Sequence, residues 1–380
     1  MSFVLSEEQL SIQKTARDFA RERLNVAAFR RLRDARDAQG FERGVWSELG
    51  ELGLGAVHLP EAWGGAGLGY AELGLVLQEL GRNLAATPLF GSTVLAAAVL
   101  REASASQPGL AALGERLAAG EQLVALAHEE RPRFAPYAVN TRLERTPSGL
   151  KLSGEKALVV EGHVADQLLV VARSSGAMGD RDGLSLVLVD ATSAGVTRTR
   201  LETVDSRGYA RIAFSDVALS EDALLGKLGE GAALLDPALD RATIALCAEM
   251  LGGALEVFER TVQYLKERQQ FGVAIGSFQA LQHRAAQLFC ELELSKSIVM
   301  EALSAVDEGR ADVPLLASVA KARLSDTFLL AASEGIQMHG GVGVTDEYDI
   351  GLFYKRARVC ELLFGDAAYH RARFATLSGF

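Results

Sequence analysis

Apolar and polar positions divide the chain into three segments, with the period changing between them. From residue 6 to about 120 the spacing is three and four, the mark of amphipathic helix. It runs through SEEQLSIQKTARDFARERL (6–24), YAELGLVLQELGR (70–82) and PLFGSTVLAAAVLREA (88–103). Ser6 followed by two glutamates reads as an N-cap with an acidic first turn. Glycines punctuate residues 50–69, which predicts a loop with one helical turn. Between about 121 and 226 the period falls to two. LVALA, YAVNTRLERT, LKLSGEKALVV, DQLLVVARSS, LSLVLVD, GVTRTRLE and YARIAFSDVAL are strand-like, separated by turn residues at 147–149, 181–183 and 193–195. No helical pattern intervenes, so these runs predict an antiparallel sandwich or barrel. From 227 the helical period returns in long segments at 237–269, 278–308, 312–338 and 348–359, with a last helix from 366. The expected fold class is α+β in three parts: 1–120 helical, 121–226 β and 227–380 helical. There is no internal repeat and no low-complexity linker.

The chain has 380 residues, enough for a large core without covalent staples. A formal net charge of −10 argues against nucleic acid as a partner. It leaves room for an anionic ligand in a local basic pocket. Cys247, Cys290 and Cys360 are few, odd in number and far apart, which suits a reducing cytoplasm and gives neither a disulfide framework nor a metal site. The first 24 residues carry no apolar signal core, and no apolar run reaches the ~18 residues of a membrane span.

Chemistry-bearing motifs are sparse. There is no phosphate-binding loop of the Walker kind, nucleophile elbow or zinc-protease helix. His128–Glu129 has no second histidine four residues on, and GGVG at 340–343 follows a helix rather than a strand. The six histidines are scattered, each an ordinary surface or core residue. One stretch stands out. Residues 264–287, YLKERQQFGVAIGSFQALQHRAAQ, read as a helix end, a glycine-marked turn and a helix start. Arg268 can simply complement the helix dipole, and Ser277 reads as the N-cap of a helix beginning near Phe278. Yet an Arg fork beside free helix N–H groups also suits a phosphate pair. Gln270 and Gln279 add donors, and Phe271 and Phe278 serve either as core residues or as flanks for a planar ring.

RQQFG…FQALQH resembles the signature of the acyl-CoA dehydrogenases. The resemblance covers nearly the whole chain, through LPEAWGGAGLGYAELGLVLQELGR (59–82), LSGEKALVVEGHVADQLLVVAR (152–173) and IQMHGGVGVTDEYDIGLFYKRAR (336–358). It implies an N-terminal helical domain, a central β-barrel and a C-terminal four-helix bundle, assembled as homo- or hetero-oligomers. It implies α,β-dehydrogenation of an acyl-CoA thioester in fatty acid β-oxidation, with FAD as cofactor and electron-transfer flavoprotein as acceptor. By the same resemblance, Arg268, Gln270, Phe271 and Gln279 hold the pyrophosphate and adenosine half of FAD across a subunit interface. Gln337, Gly340 and Gly341 match the family's Q-x-x-G-G, which receives the same half.

Three departures qualify the resemblance. The family's usual glutamate base falls at Phe364 in CELLFGDAA, and its alternative position falls at Ala242 in ALDRATIAL. The family's T-E-P-x-x-G-S-D becomes HEERPRFAP (128–136). The W-x-T that shields the flavin ring becomes Leu158-Val159-Val160. This combination resembles the small-subunit type of bacterial acyl-CoA dehydrogenases, which pair with a second dehydrogenase-like chain. Asp366 and Asp240 are candidates for a displaced base, and both read equally as helix-end acids. Three functions follow: a catalytic dehydrogenase with a displaced base, a non-catalytic partner completing another chain's FAD site, and a flavin monooxygenase on the same fold.

Overall fold

A computed structural model describes residues 5–380. Its helices are α1 (Glu7–Arg23), α2 (Val26–Asp34), α3 (Arg43–Glu51), α4 (Tyr70–Arg82), α5 (Ala97–Ser104), α6 (Ala111–Ala118), α7 (Ala232–Glu267), α8 (Gln279–Asp307), α9 (Val313–His339), α10 (Ile350–Leu362) and α11 (Ala367–Leu377). Its strands are β1 (Val124–Ala127), β2 (Arg142–Thr146), β3 (Gly149–Val160), β4 (Gln167–Arg173), β5 (Leu184–Asp190), β6 (Val196–Leu201), β7 (Tyr209–Leu219), β8 (Leu224–Leu225), β9 (Gln269–Gln270) and β10 (Val273–Ala274). The chain divides into two compact units. One comprises Met1–Arg31, Gly69–Ala85 and Thr243–Phe380; the other comprises Leu32–Leu68 and Ala86–Ala242. None of the described helices is long and apolar enough to cross a membrane.

The second unit is built on one sheet of order β6-β7-β3-β2-β4-β5-β8, with β1 added to β4. The sheet is open, so the expected closed barrel is not formed. Closure fails at identifiable places. β8 is two residues long, and β2 meets β4 through the single pair Arg142↔Arg173. Most pairs are antiparallel as expected, but β1 runs parallel to β4. Two register shifts in β3, after Leu152 and after Lys156, bend the long β3–β7 ribbon. One face is apolar and fully buried, with Leu152, Leu168, Val170, Val187 and Ile212 at 0% exposure.

The first unit is helical, with α9 packed by α8, α10 and α11, and α1 laid on α4. Ser6 caps α1 as expected, its hydroxyl accepting the Gln9 N–H at 3.1 Å. Glycines set the helix spacing: a Cβ on Gly252 of α7 would stand 1.9 Å from the Gln78 carbonyl oxygen of α4, so only glycine lets these backbones touch. Asp307, at the end of α8, accepts the Tyr70 and Ala71 N–H groups at 2.6 and 2.9 Å and so caps α4. A belt of ion pairs binds the elements from outside. Arg17 forks onto the buried Glu79, Arg82 reaches Glu256 and Glu259, and Arg260 joins Glu256 to Asp349, which also takes Arg30.

Candidate functional site

The stretch singled out in the sequence folds as a tight hairpin between two long helices. α7 ends at Glu267, and the Arg268 N–H still donates to the Tyr264 carbonyl at 2.8 Å. β9 and β10 then pair Gln270 with Val273 and Gln269 with Ala274 around a two-residue loop. Both loop residues have positive φ, Phe271 at 56° and Gly272 at 80°, the requirement of a type I′ turn. Glycine takes that conformation freely, while phenylalanine is strained in it by about 1–2 kcal/mol. The strain gains little packing in return, since the Phe271 ring is 91% exposed and meets the edge of Phe278, 6.1 Å between centroids. Strain at an exposed aromatic is the kind of outlier that accompanies ligand contact.

Beyond the hairpin the backbone turns sharply. A Cβ on Gly276 would lie 2.8 Å from the Leu265 oxygen, so glycine is needed for this approach. Ser277 is not the N-cap of α8. Its hydroxyl donates to the Ala274 carbonyl at 2.7 Å inside a short 3-10 turn, and Phe278 takes the cap position with no side-chain bond to the helix. Gln279 is therefore the first helical residue and is exposed at that N-terminus. Among the described residues no carboxylate pairs with Arg268, although most neighbouring arginines are paired.

Gln337, Gly340 and Gly341 lie at the C-terminal end of α9, all exposed. Gly340 ends the helix with φ 63° and ψ −140°, a conformation open almost only to glycine. A Cβ on Gly340 or Gly341 would meet nothing within 4 Å, so this backbone faces open space. The two segments are joined from behind. The ring of Tyr264, in the last turn of α7, lies 4.3 Å from that of His339, the residue before Gly340, and the Tyr264 hydroxyl reaches the His339 carbonyl at 3.4 Å. Seven candidates thus stand on two motifs, Arg268, Gln270, Phe271 and Gln279 on one and Gln337, Gly340 and Gly341 on the other. The coupling through Tyr264 and His339 carried no sequence signal, since His339 reads there as one of six scattered histidines.

The candidate base positions are otherwise employed. Phe364 is fully buried in the turn between α10 and α11, with φ 59°. Its carbonyl accepts from His370 Nε2 at 2.9 Å, and the next carbonyl, of Gly365, accepts from Lys321 Nζ at 2.7 Å. Burial and the nearby Lys321 charge push the His370 pKa down to about 3. Asp366 N-caps α11, accepting the Tyr369 N–H at 2.8 Å. Asp240 lies two turns inside α7 and is 5% exposed, and Ala242 is buried. Asp240 is not near the helix start because α7 begins at Ala232, with Pro237 inside it.

In the sheet unit, HEERPRFAP forms no strand. Its Glu130 accepts the Asn140 and Thr141 N–H groups at 2.6 and 3.0 Å and Lys156 Nζ at 2.6 Å. Burial pushes the Lys156 pKa down to about 8 against the pull of Glu130. Burial opposes the charge on Glu130, but Lys156 and the hydrogen bonds hold its carboxyl below the ordinary range. Glu130 is a structural tie. Val159 and Val160 are buried hydrocarbon and offer no hydroxyl. In the helical unit a cavity of about 110 Å³ lies among α1, α4, α7 and α8, with Gly74, Leu75, Leu251, Val299 and Leu303 in its wall.

Known proteins share sequence and fold with this chain. The family pattern described as "Acyl-CoA dehydrogenase, N-terminal domain" matches residues 6–120, and "Acyl-CoA dehydrogenase, C-terminal domain" matches residues 229–376. The chain is 32% identical to "Acyl-CoA dehydrogenase IpdE2" of Mycobacterium tuberculosis, over 84% of this chain and 81% of that protein. Among solved structures, a variant of the Tcur3481-Tcur3483 steroid ACAD superposes with TM-score 0.86 at 31% identity, covering 98% of both chains. The ChsE4-ChsE5 complex of Mycobacterium tuberculosis superposes with TM-score 0.89 at 25% identity, over the full length of both.

Proposed function

Because the chain belongs to the acyl-CoA dehydrogenase family, we propose that it is one subunit of an FAD-dependent enzyme that desaturates an acyl-CoA thioester and passes electrons to electron-transfer flavoprotein. In this reading it holds the adenosine half of FAD, and a second dehydrogenase-like chain supplies the base. When bound, FAD would supply the hydride acceptor for the β-hydrogen of the thioester. This chain's residues fit the adenosine half. Arg268 presents a guanidinium fork, free of any carboxylate among the described residues and suited to a pyrophosphate. The N-terminus of α8 adds N–H groups beside it. Phe271 offers an exposed aromatic face, and Gly340 and Gly341 allow close backbone approach.

The flavin-ring side is not matched in the same way. Val160 stands where the resemblance expects a hydroxyl, and Phe364 and Ala242 stand where it expects a carboxylate. The observation that favours a partner subunit over a self-sufficient catalyst is Phe364, fully buried and unable to take a proton. Two of the similar structures bear the names of paired chains, which accords with a heteromeric assembly.

The test is an absorbance spectrum and an anaerobic acyl-CoA titration of the purified chain, alone and with its partner. The expected result is little or no turnover by the chain alone. Robust turnover alone, abolished by Asp366→Asn or Asp240→Asn with FAD retained, would overturn the partner reading. Arg268→Ala removes two charge-assisted hydrogen bonds, each worth ~1.5–3 kcal/mol, and should weaken FAD retention at least tenfold. Arg268→Lys should restore it only in part, because a point charge lacks the fork.

A further inference from the structure

Two segments 70 residues apart in sequence carry the cofactor candidates, and each has an exposed backbone tip, at 271–272 and at 340–341. The β9–β10 hairpin has two residues in each strand, below what is stable in isolation. The turn after α9 begins with Gly340 and Gly341, which face open space, before Gly343 packs on Ile336. A receptor for a flexible dinucleotide gains affinity when such segments are ordered beforehand.

Behind both segments stands a cluster of three aromatic side chains. Tyr264 stacks on His339 with centroids 4.3 Å apart and planes inclined by 31°, and His339 meets Tyr348 at 4.8 Å. The rings are also locked by hydrogen bonds. Gly335 O can only accept, so His339 Nδ1 carries the proton that bridges the 2.7 Å between them. That leaves Nε2 as the acceptor of the Tyr348 hydroxyl at 3.1 Å. Tyr264 lies one turn before Arg268 and accepts its N–H through the main chain, while His339 immediately precedes Gly340. Tyr348 lies beside Asp349, which is held by Arg30 and Arg260. The cluster therefore bears on the base of the hairpin, the start of the glycine turn and the ion-pair belt at once.

We propose that Tyr264, His339 and Tyr348 are positioning residues that hold the Arg268 hairpin and the Gly340–Gly341 turn as one preformed receptor for the adenosine half of FAD. The inference rests on the cofactor reading above and deepens it. None of the three touches the cofactor; they act through the backbone segments that do. The stacked rings carry the effect more than the long Tyr264 hydroxyl bond.

The test uses the purified protein in its native assembly, with FAD and ADP as probes. Amide hydrogen exchange is followed in residues 269–274 and 340–344 without either probe. Tyr264→Leu should quicken exchange in both segments together and weaken FAD and ADP about tenfold, the size of two ordinary aromatic contacts. Tyr264→Phe keeps the ring and should return both readouts to near wild type. Tyr348→Phe leaves all three rings in place, so it folds, and should quicken exchange in 340–344 with a several-fold loss of FAD affinity. Unchanged exchange and affinity in Tyr264→Leu, or no rescue in Tyr264→Phe, would overturn the proposal. The cofactor reading fails separately, if wild type binds neither probe or Arg268→Ala binds both as wild type does. Where Arg268→Ala weakens binding and Tyr264→Leu does not, the receptor stands and the positioning role falls.

Discussion

Lys321 offers a pH-dependent handle on the turn that carries Phe364. Its ammonium is buried in α9 and donates to the carbonyls of Glu361 at 2.9 Å and Gly365 at 2.7 Å, with Ser325 Oγ at 3.3 Å. It thus ties α9 to the end of α10 and to the following turn. Burial pushes its pKa down from 10.5 to about 8, opposed by the nearby Cys247, Cys360, Glu361 and Asp366. In the folded chain the proton is lost near pH 8, while the unfolded chain keeps it to near 10.5. Between those values the unfolded state binds more protons, so stability rises with pH. A fall of that size makes the charged form about 3 kcal/mol less favourable in the fold at pH 7. About 2 kcal/mol of this should be recovered between pH 7 and pH 9.5. Lys321→Met keeps the stem and cannot titrate. The assay is denaturant unfolding of wild type and variant at both pH values, followed by helical circular dichroism, because Trp46 and Trp63 both lie in the sheet unit. Lys156, with a similar depression, and Cys247, whose thiol burial pushes up to about 12, remain in both proteins and largely cancel in the difference. Wild type should gain about 2 kcal/mol on the variant as pH rises. A difference that is flat or falls with pH would refute the reasoning.

Three further outcomes test the site and its frame. Phe271→Gly should relieve backbone strain and raise stability by about 1 kcal/mol while weakening FAD binding, since the exposed ring packs on little else; unchanged FAD affinity would remove Phe271 from the site. Gly276→Ala puts a Cβ 2.8 Å from the Leu265 oxygen and should cost about 1–3 kcal/mol in urea unfolding, with weaker FAD binding as the hairpin shifts. Phe364→Leu should cost about 1–2 kcal/mol of stability and leave turnover of the native assembly unchanged; lost turnover without unfolding would give Phe364 a part in the reaction.

Much of the fold is legible wherever one period persists. LSLVLVD and YARIAFSDVAL are β5 and β7 to the residue, because each alternates or runs apolar between clear turn signals. The misreadings have local causes. Pro237 invites a helix start at 237, but α7 begins at Ala232 and carries Pro237 in its second turn, at the cost of the hydrogen bond to the Ala233 carbonyl. YAVNTRLERT reads as one strand, yet only Arg142–Thr146 pairs. The Arg173 guanidinium draws the Tyr137 and Val139 carbonyls to itself at 3.0 and 3.1 Å, and a side chain so distant in sequence leaves no trace in periodicity. The two candidate cofactor segments are visible as motifs. Their joining through Tyr264 and His339 spans 75 residues and is visible only in three dimensions.

The same distinction explains how CELLFGDAA can keep the look of a catalytic block without a carboxylate at its centre. A left-handed φ at a residue with a side chain is costly, and Phe364 adopts it at 59°. The conformation is held by neighbours, not chosen by the residue. His370 grips the Phe364 carbonyl, Lys321 grips the next one, Gly365 turns with φ 102°, and Asp366 caps the helix that follows. Four fixed points over-determine the turn, so the backbone cost is much the same whichever side chain stands at 364. Exchange of a carboxylate for a phenyl ring then changes only what fills the hollow. A carboxylate there would be desolvated and in need of a partner, whereas the ring is fully buried and needs none. On the proposed reading, the turn would keep the frame of a base while Phe364 fills its place, which is how a chain specialised for assembly and cofactor holding would differ from a self-sufficient catalyst.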